Sequence, residues 1–400
     1  MKRLVISILI CLFQIHCLHA EKGLWLPKLD TLHWYEIKEL GFNLSMDELY
    51  SEDKPSLKDV VVRFGNGCSG VVVSERGLIM TNHHCALRYV ENISTKEHDY
   101  LSEGYWAEGK REVPIDGLSV KFLQRMIDVT DSLHTDAFLT IPDKEIKHRI
   151  QEIEGQYTDK KNGYEANIVS LYSGNKYYLY QYQVFQDVRL VGIPPFSLGK
   201  WGKDKDNWMW ARHTADFAIF RIYAGEDNLP ASYSSDNIPY KPQRYAPISL
   251  NQLKEGDFTF VLGYPGATDQ YKNSDVLSNL VHISYPEQID LMKKYLTILD
   301  TYMIKDKTFE LNNTSAYGSI SNVMKRFQGF IAGIERTKKV ELSRSTLFEY
   351  IAYLRNDLML KICYDEYRKT YYYEDENVTS ALGKLRCETC KDRMLCAETA

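Results

Sequence analysis

The stretch GNGCSGVVVSERGLIMTNHHC, residues 65–85, constrains the fold of this chain more than any other. Two runs rich in Val, Ile and Leu, 69–74 and 78–82, flank the turn Glu75-Arg76-Gly77, where the glycine supplies the backbone freedom a tight connection needs. A hairpin follows from this pattern. It returns Cys85 to the side of Cys68 and sets His83 and His84 at a strand end that the neighbouring cysteine can brace.

The redox context comes from the leader. Lys2-Arg3, a largely apolar run over 4–13 and the small Ala20 before Glu21 read as a secretory signal peptide over residues 1–20, too short in its apolar part for a stable membrane span. Gln14-Ile15-His16 before Cys17 match a lipoprotein signal poorly. Of eight cysteines, cleavage after Ala20 removes Cys11 and Cys17 and leaves Cys68, Cys85, Cys363, Cys387, Cys390 and Cys396. Export, to the periplasm or the cell surface, makes disulfides the expected fate of some of them, the pair Cys68 and Cys85 first. A net charge of -5, not gathered in blocks, argues against nucleic acid as the partner.

The remaining chain divides by pattern. Residues 21–56 carry the apolar patch Leu24-Trp25-Leu26-Pro27 and a helix near 32–40, and read as an arm on the core. Residues 57–275 hold short strands separated by turn residues, which favour a β-barrel over a parallel sheet. Within them 118–122 is strand-like, 143–161 is a polar helix with Ile146, Ile150 and Ile153 as its apolar stripe, and KYYLYQYQVFQDVRLV (176–191) is an antiparallel pair or one long strand. Two further strands are expected, one closing DNWMWARHTADFAIFRIYA and one before the turn Gly263-Tyr264-Pro265-Gly266. From Pro286 the period changes: Ile289, Met292, Leu296, Leu299 and Met303 recur at helical spacing, with more helix at 321–335 and 342–367. Residues 276–400 are therefore a helical region.

A histidine followed at once by a cysteine, closing a strand that began near another cysteine, resembles the way trypsin-like peptidases hold their general base. That chemistry needs a histidine to take a hydroxyl proton, an aspartate to fix its tautomer, and a serine. His84, next to Cys85, is the base candidate in preference to His83. A zinc site from His83, His84, Cys68, Cys85 or His98 competes, but lacks ordinary ligand spacing. Asp216 precedes an apolar strand run, where it is either the acid or a turn and cap residue. Ser69 and Ser173 lie in turn-like Gly-Cys-Ser-Gly and Tyr-Ser-Gly sequences; Ser69 enters a strand on the base's own element, where a nucleophile should not lie, and Ser173 has no better claim. Cys387-x2-Cys390-x5-Cys396, with Cys363 upstream, is an incomplete zinc pattern with no histidine after it. No metal or cofactor is assigned.

Taken together, GNGCSG, GLIMTNHHC, DNWMWARHTADF, GDFTFVLGYPGATDQY and SISNVMKRFQG, in that order, resemble the bacterial dipeptidyl-peptidase 7 and 11 family, exported serine exopeptidases, from about residue 21 to at least 329. The resemblance implies a chymotrypsin-like double β-barrel with an inserted helical domain, mainly β plus α. It implies His84 as base, Asp216 as acid, and Asn207, Trp208 and Asn322 at positions that hold the substrate's free N-terminus. Peptides with a free N-terminus are then the partners, and a homodimer is the family's usual state.

In that family the second barrel brings the serine, in a Gly-Asn-Ser-Gly-Ser-like turn, and the oxyanion hole. No Gly-Asn-Ser-Gly occurs in these 400 residues. The expectation is a serine-type dipeptidyl-peptidase chain holding the first barrel (57–275) and part of the helical domain (276–400), truncated before its nucleophile, with the second barrel largely missing. The alternative is a non-catalytic peptide-binding fragment, or half of a two-chain enzyme.

Overall fold

The computed structural model describes residues 25–345, apart from 29–30, 96, 109–110, 134–142, 172–173, 175, 203–205, 210 and 267–271. The expected leader at 1–20, Ser173, the four C-terminal cysteines and the helix expected beyond 345 lie outside the described residues.

Among the described residues eleven strands form one sheet, every pairing antiparallel. In chain order they are β1 (Val61–Phe64), β2 (Cys68–Val72), β3 (Leu78–Thr81), β4 (Tyr105–Trp106), β5 (Val113–Pro114), β6 (Val120–Asp128), β7 (Tyr164–Leu171), β8 (Lys176–Phe185), β9 (Val188–Ile193), β10 (Ala218–Ala224) and β11 (Ile238–Pro239). Across the sheet the order is β4-β9-β10-β3-β2-β1-β6-β8-β7, with β5 on β9 and β11 on β10. Alternation sets the inner face: in β10, Ala218, Phe220, Ile222 and Ala224 are buried while the residues between them are not. The sheet curls so that its two halves share a core. Phe64 of β1 meets Phe220 of β10 at 5.0 Å, and Tyr240 touches both Phe122 of β6 and Phe185 of β8. Each such side chain, fully buried, is worth about 1.5–3 kcal/mol.

The expected hairpin is present, with Val71 opposite Met80. Residues 176–191 form two strands that do not pair with each other. Asp187 sits at the corner between them, buried, and its carboxylate accepts Arg189 Nε at 2.9 Å and Nη2 at 2.7 Å. The Arg189 guanidinium lies over the Tyr223 ring of β10, 3.6 Å from its centroid. This pair turns the chain from β8, beside β6 and β7, to β9, beside β10. The strand expected before Gly263 does not form: no strand partner exists for 257–262 among the described residues, and Phe258 and Phe260 instead pack edge-on against Phe42 of the arm.

Beyond the sheet, the helix Tyr285–Met303 begins with proline in its first turn and buries Tyr285, Ile289, Leu296 and Leu299. It packs on a second helix, Lys307–Arg336, where Tyr285 stacks on Phe327 at 3.8 Å. That helix starts well before the expected 321, because packing against a neighbour overrides the weak propensity of its polar first turns. Among the described residues no helix is long and apolar enough to cross a membrane. The architecture is mixed α and β around a large antiparallel sheet.

Candidate active site

Ladder register decides where a base and an acid can meet. Thr81 at the end of β3 lies opposite Ala218 at the start of β10, so residues just after β3 adjoin those just before β10. His83, His84 and Cys85 are not a strand end but the first turn of the helix His83–Ile93. A disulfide from Cys85 to Cys68 on β2 ties that turn to the sheet, Cα to Cα 6.1 Å.

Asp216 reaches this turn from the start of β10. Its Oδ2 accepts the Nδ1 proton of His84 at 2.9 Å, and its Oδ1 accepts the His84 backbone N–H at 3.0 Å. A carboxylate only accepts, so the Nδ1 nitrogen carries the proton and Nε2 of the neutral ring is bare. The His84 side chain is 68% exposed, and Nε2 has no partner among the described residues. Burial pushes the Asp216 carboxyl up, but the hydrogen bonds from the His84 side chain and backbone, with the charges of His84 and His83, outweigh it and hold the group below its ordinary value. The arrangement can take a proton at Nε2 and stabilise the imidazolium that forms.

His83 does something different. It is 1% exposed, with Nε2 3.2 Å from the carbonyl oxygen of Pro194, and its ring packs so closely on Gly199 that a Cβ there would fall 2.2 Å from it. Burial holds its pKa below the usual histidine value, so the neutral ring donates to that carbonyl.

Ser69 is engaged elsewhere. Its Oγ accepts the backbone N–H of Tyr264 at 2.7 Å, and no bond joins it to His84. Cys68, His84 and Cys85 bring their ligand atoms within 4.8 Å of one another, but the two sulfurs are bonded to each other, which leaves no thiolate for a metal. His98 is apart from them, stacked on Tyr100.

Asn207, Trp208 and Asn322 converge. Asn322, on the helix Lys307–Arg336, accepts Asn207 Nδ2 at 3.0 Å and Trp208 Nε1 at 2.9 Å on its one side-chain oxygen. Asn207 Oδ1 in turn accepts Arg212 Nη1 at 3.0 Å, and its backbone carbonyl accepts Lys325 Nζ at 3.3 Å. Both amide oxygens are therefore already engaged. Trp208 has φ of 61°, rare for a residue with a side chain, and is 61% exposed. Sequence reasoning missed Arg212 and Lys325, which support this cluster, and Asn82, which contacts Asp216; only their nearness to Asn207, Asn322 and His84 in the chain could have raised them.

The chain is similar to known proteins over most of its length. A family model described as Peptidase S46 matches residues 20–371. The chain is 37% identical over 345 residues to an Asp/Glu-specific dipeptidyl-peptidase of Flavobacterium psychrophilum, covering 85% of this chain and 48% of that one. It is 40% identical over 352 residues to dipeptidyl-peptidase 7 of Porphyromonas endodontalis, covering 86% and 43%. The crystal structure of Porphyromonas endodontalis DPP11 in complex with the dipeptide Arg-Glu superposes with a TM-score of 0.77 at 33% identity, over 87% of this chain and 52% of that one. The chain spans about half the length of these relatives.

Proposed function

Because the chain belongs to the peptidase S46 family, we propose that it carries the general base and orienting acid of a serine-type dipeptidyl-peptidase, which releases dipeptides from the free N-terminus of peptides. One observation supports this most: the Asp216 carboxylate accepts from both Nδ1 and the backbone N–H of His84, leaving Nε2 bare. His84 takes the proton of a serine hydroxyl as the serine attacks the peptide carbonyl, Asp216 stabilises the imidazolium, and the proton passes to the leaving amine. The serine and the oxyanion donors come from polypeptide outside the described residues.

In this reading the curled sheet within 57–275 is the first barrel of a chymotrypsin-like pair, residues 276–400 belong to the inserted helical domain, and 21–56 form an arm packed on the core. The protein is exported after loss of residues 1–20, which suits the Cys68–Cys85 disulfide. Asn207, Trp208 and Asn322 hold the substrate's α-ammonium beside the indole face, the ammonium taking the place of one of the two donors now on Asn322 Oδ1 and using the second lone pair of Asn207 Oδ1.

The purified chain is assayed on dipeptidyl fluorogenic substrates, free or N-acetylated, alone and mixed with a separately expressed C-terminal half of an S46 relative. The expected result is turnover of free substrates in the mixture only, abolished by His84→Ala. Turnover by the chain alone, lost in Ser69→Ala, would put the nucleophile on β2. Equal cleavage of acetylated substrates would end the exopeptidase reading, and peptide binding without turnover in the mixture would favour a binding fragment.

A further inference from the structure

Asn82 stands at the N-cap of the helix His83–Ile93, with extended backbone at φ -76° and ψ 148°, yet its side chain bonds none of that helix's amides. An asparagine there ordinarily accepts a first-turn N–H. Here that duty falls to Asp216, whose Oδ1 accepts the His84 N–H from across the sheet. The Asn82 amide turns the other way: Nδ2 lies 3.2 Å from Asp216 Oδ2 and 3.2 Å from the Asp216 carbonyl oxygen. Both partners are acceptors, so the NH2 face of the amide must point at them, one hydrogen to each.

We propose that Asn82 is a positioning residue for the His84–Asp216 pair, its amide bridging the carboxylate and the backbone carbonyl of Asp216 and so fixing the rotation of the carboxylate about its side-chain bonds. The His84 backbone N–H holds Oδ1, but without Asn82 the other oxygen, Oδ2, would be held only by the ring it is meant to orient. A donor from a third side chain breaks that dependence. His83 supplies the footing, because its bond to the Pro194 carbonyl means that residues 82, 83 and 84 each bond the 194–216 segment. An amide does this without charge. An aspartate at 82 would cap the helix but repel Asp216, and a lysine would compete with His84 for the carboxylate. The consequence for turnover rests on the catalytic reading above; the geometry does not.

The chain, labelled with nitrogen-15 histidine, is examined by NMR near neutral pH as wild type, Asn82→Ala, Asn82→Asp and Asp216→Asn. In the wild type the His84 Nδ1 proton is expected as a protected signal with one neutral tautomer. Both Asn82 variants are expected to lose that signal to exchange and to populate both tautomers while still unfolding cooperatively; Asn82→Asp, which keeps the shape and removes the donors, decides the case if Asn82→Ala does not fold. In the reconstituted enzyme kcat falls about 10- to 100-fold with KM unchanged. A wild-type signal and single tautomer in a folded Asn82 variant would overturn the proposal. An unaltered signal in Asp216→Asn would overturn the pairing itself, and an inactive reconstituted wild type would count against the peptidase reading while the NMR result still judges Asn82.

Discussion

The indole N–H of Trp208 ends on Asn322 Oδ1 at 2.9 Å, joining a loop that leads into β10 to the helix Lys307–Arg336. Trp208 adopts a left-handed backbone that costs about 1–3 kcal/mol for a residue with a side chain. The contact braces it there, together with the turn's own bond from the Met209 N–H to the Asp206 carbonyl at 3.1 Å. Asn322→Ala is therefore expected to release both Trp208 and Asn207. Tryptophan emission should shift to the red by the part that Trp208→Phe removes, and in the reconstituted enzyme dipeptide release should fall at least about tenfold, the cost of one charge-assisted hydrogen bond. Unchanged emission and unchanged cleavage would show that the cluster is a packing contact and no more.

The disulfide between Cys68 and Cys85 closes a separation of 17 residues and pins the helix's first turn to β2. Closing a loop of that size is worth about 3 kcal/mol. Non-reducing mass mapping of exported protein should recover the Cys68–Cys85 peptide pair, and Cys68→Ser with Cys85→Ser should unfold at lower denaturant by that amount. Free thiols at both positions would remove the brace under His84.

His83 gives the fold a pH dependence. Burial depresses its pKa in the folded chain, so the unfolded chain binds its proton more readily. Its contribution is whole above the unfolded value of about 6.5 and is lost as pH falls from there through the folded value. Denaturant titrations between about pH 7 and 5 should show wild-type stability declining, and His83→Gln, which can still donate to the Pro194 carbonyl but does not titrate, should decline less over the same range. Parallel curves would mean the ring is reached by water in the folded chain.

The hairpin, the strand β10 and the helix from Tyr285 were legible because each rests on a local pattern: alternation, a glycine in the turn, or apolar residues at helical spacing. What was not legible depends on long-range geometry. Nothing in QVFQDVRLV announces that Asp187 and Arg189 bury their charges as a pair and send β8 and β9 to different neighbours. The FTFVL run has the composition of a strand, but a strand is made by a partner, and Phe258 and Phe260 found the ring of Phe42 instead. For the site, the chain pattern offered His84 and left Asp216 open between an acid and a turn or cap residue, the family resemblance implying both as a pair. The Thr81–Ala218 register is what sets them side by side, and Asn82 is visible only once Asp216 is seen to cap a helix to which it does not belong.

Asp216 consequently has two duties that one substitution separates. As a charged acceptor at the N-terminus of the helix His83–Ile93 it is worth about 1 kcal/mol, and as partner of Nδ1 it selects the His84 tautomer. Its pKa is held down by hydrogen bonds that outweigh burial, so its stabilisation is complete above the ordinary carboxylate value of about 3.9 and lost as pH falls through its folded value. Asp216→Asn should flatten that acid limb and cost about 1 kcal/mol at neutral pH, leaving the fold intact. The rate should suffer far more. The variant's amide can turn an N–H toward Nδ1, which then becomes the acceptor and moves the ring proton to Nε2, where no base remains; in serine triads that error costs about ten-thousandfold in kcat. Measured side by side, a small loss of stability with a loss of turnover of that order in the reconstituted enzyme would separate tautomer control from capping, whereas a fall in turnover no larger than tenfold would mean that His84 finds its orientation without Asp216.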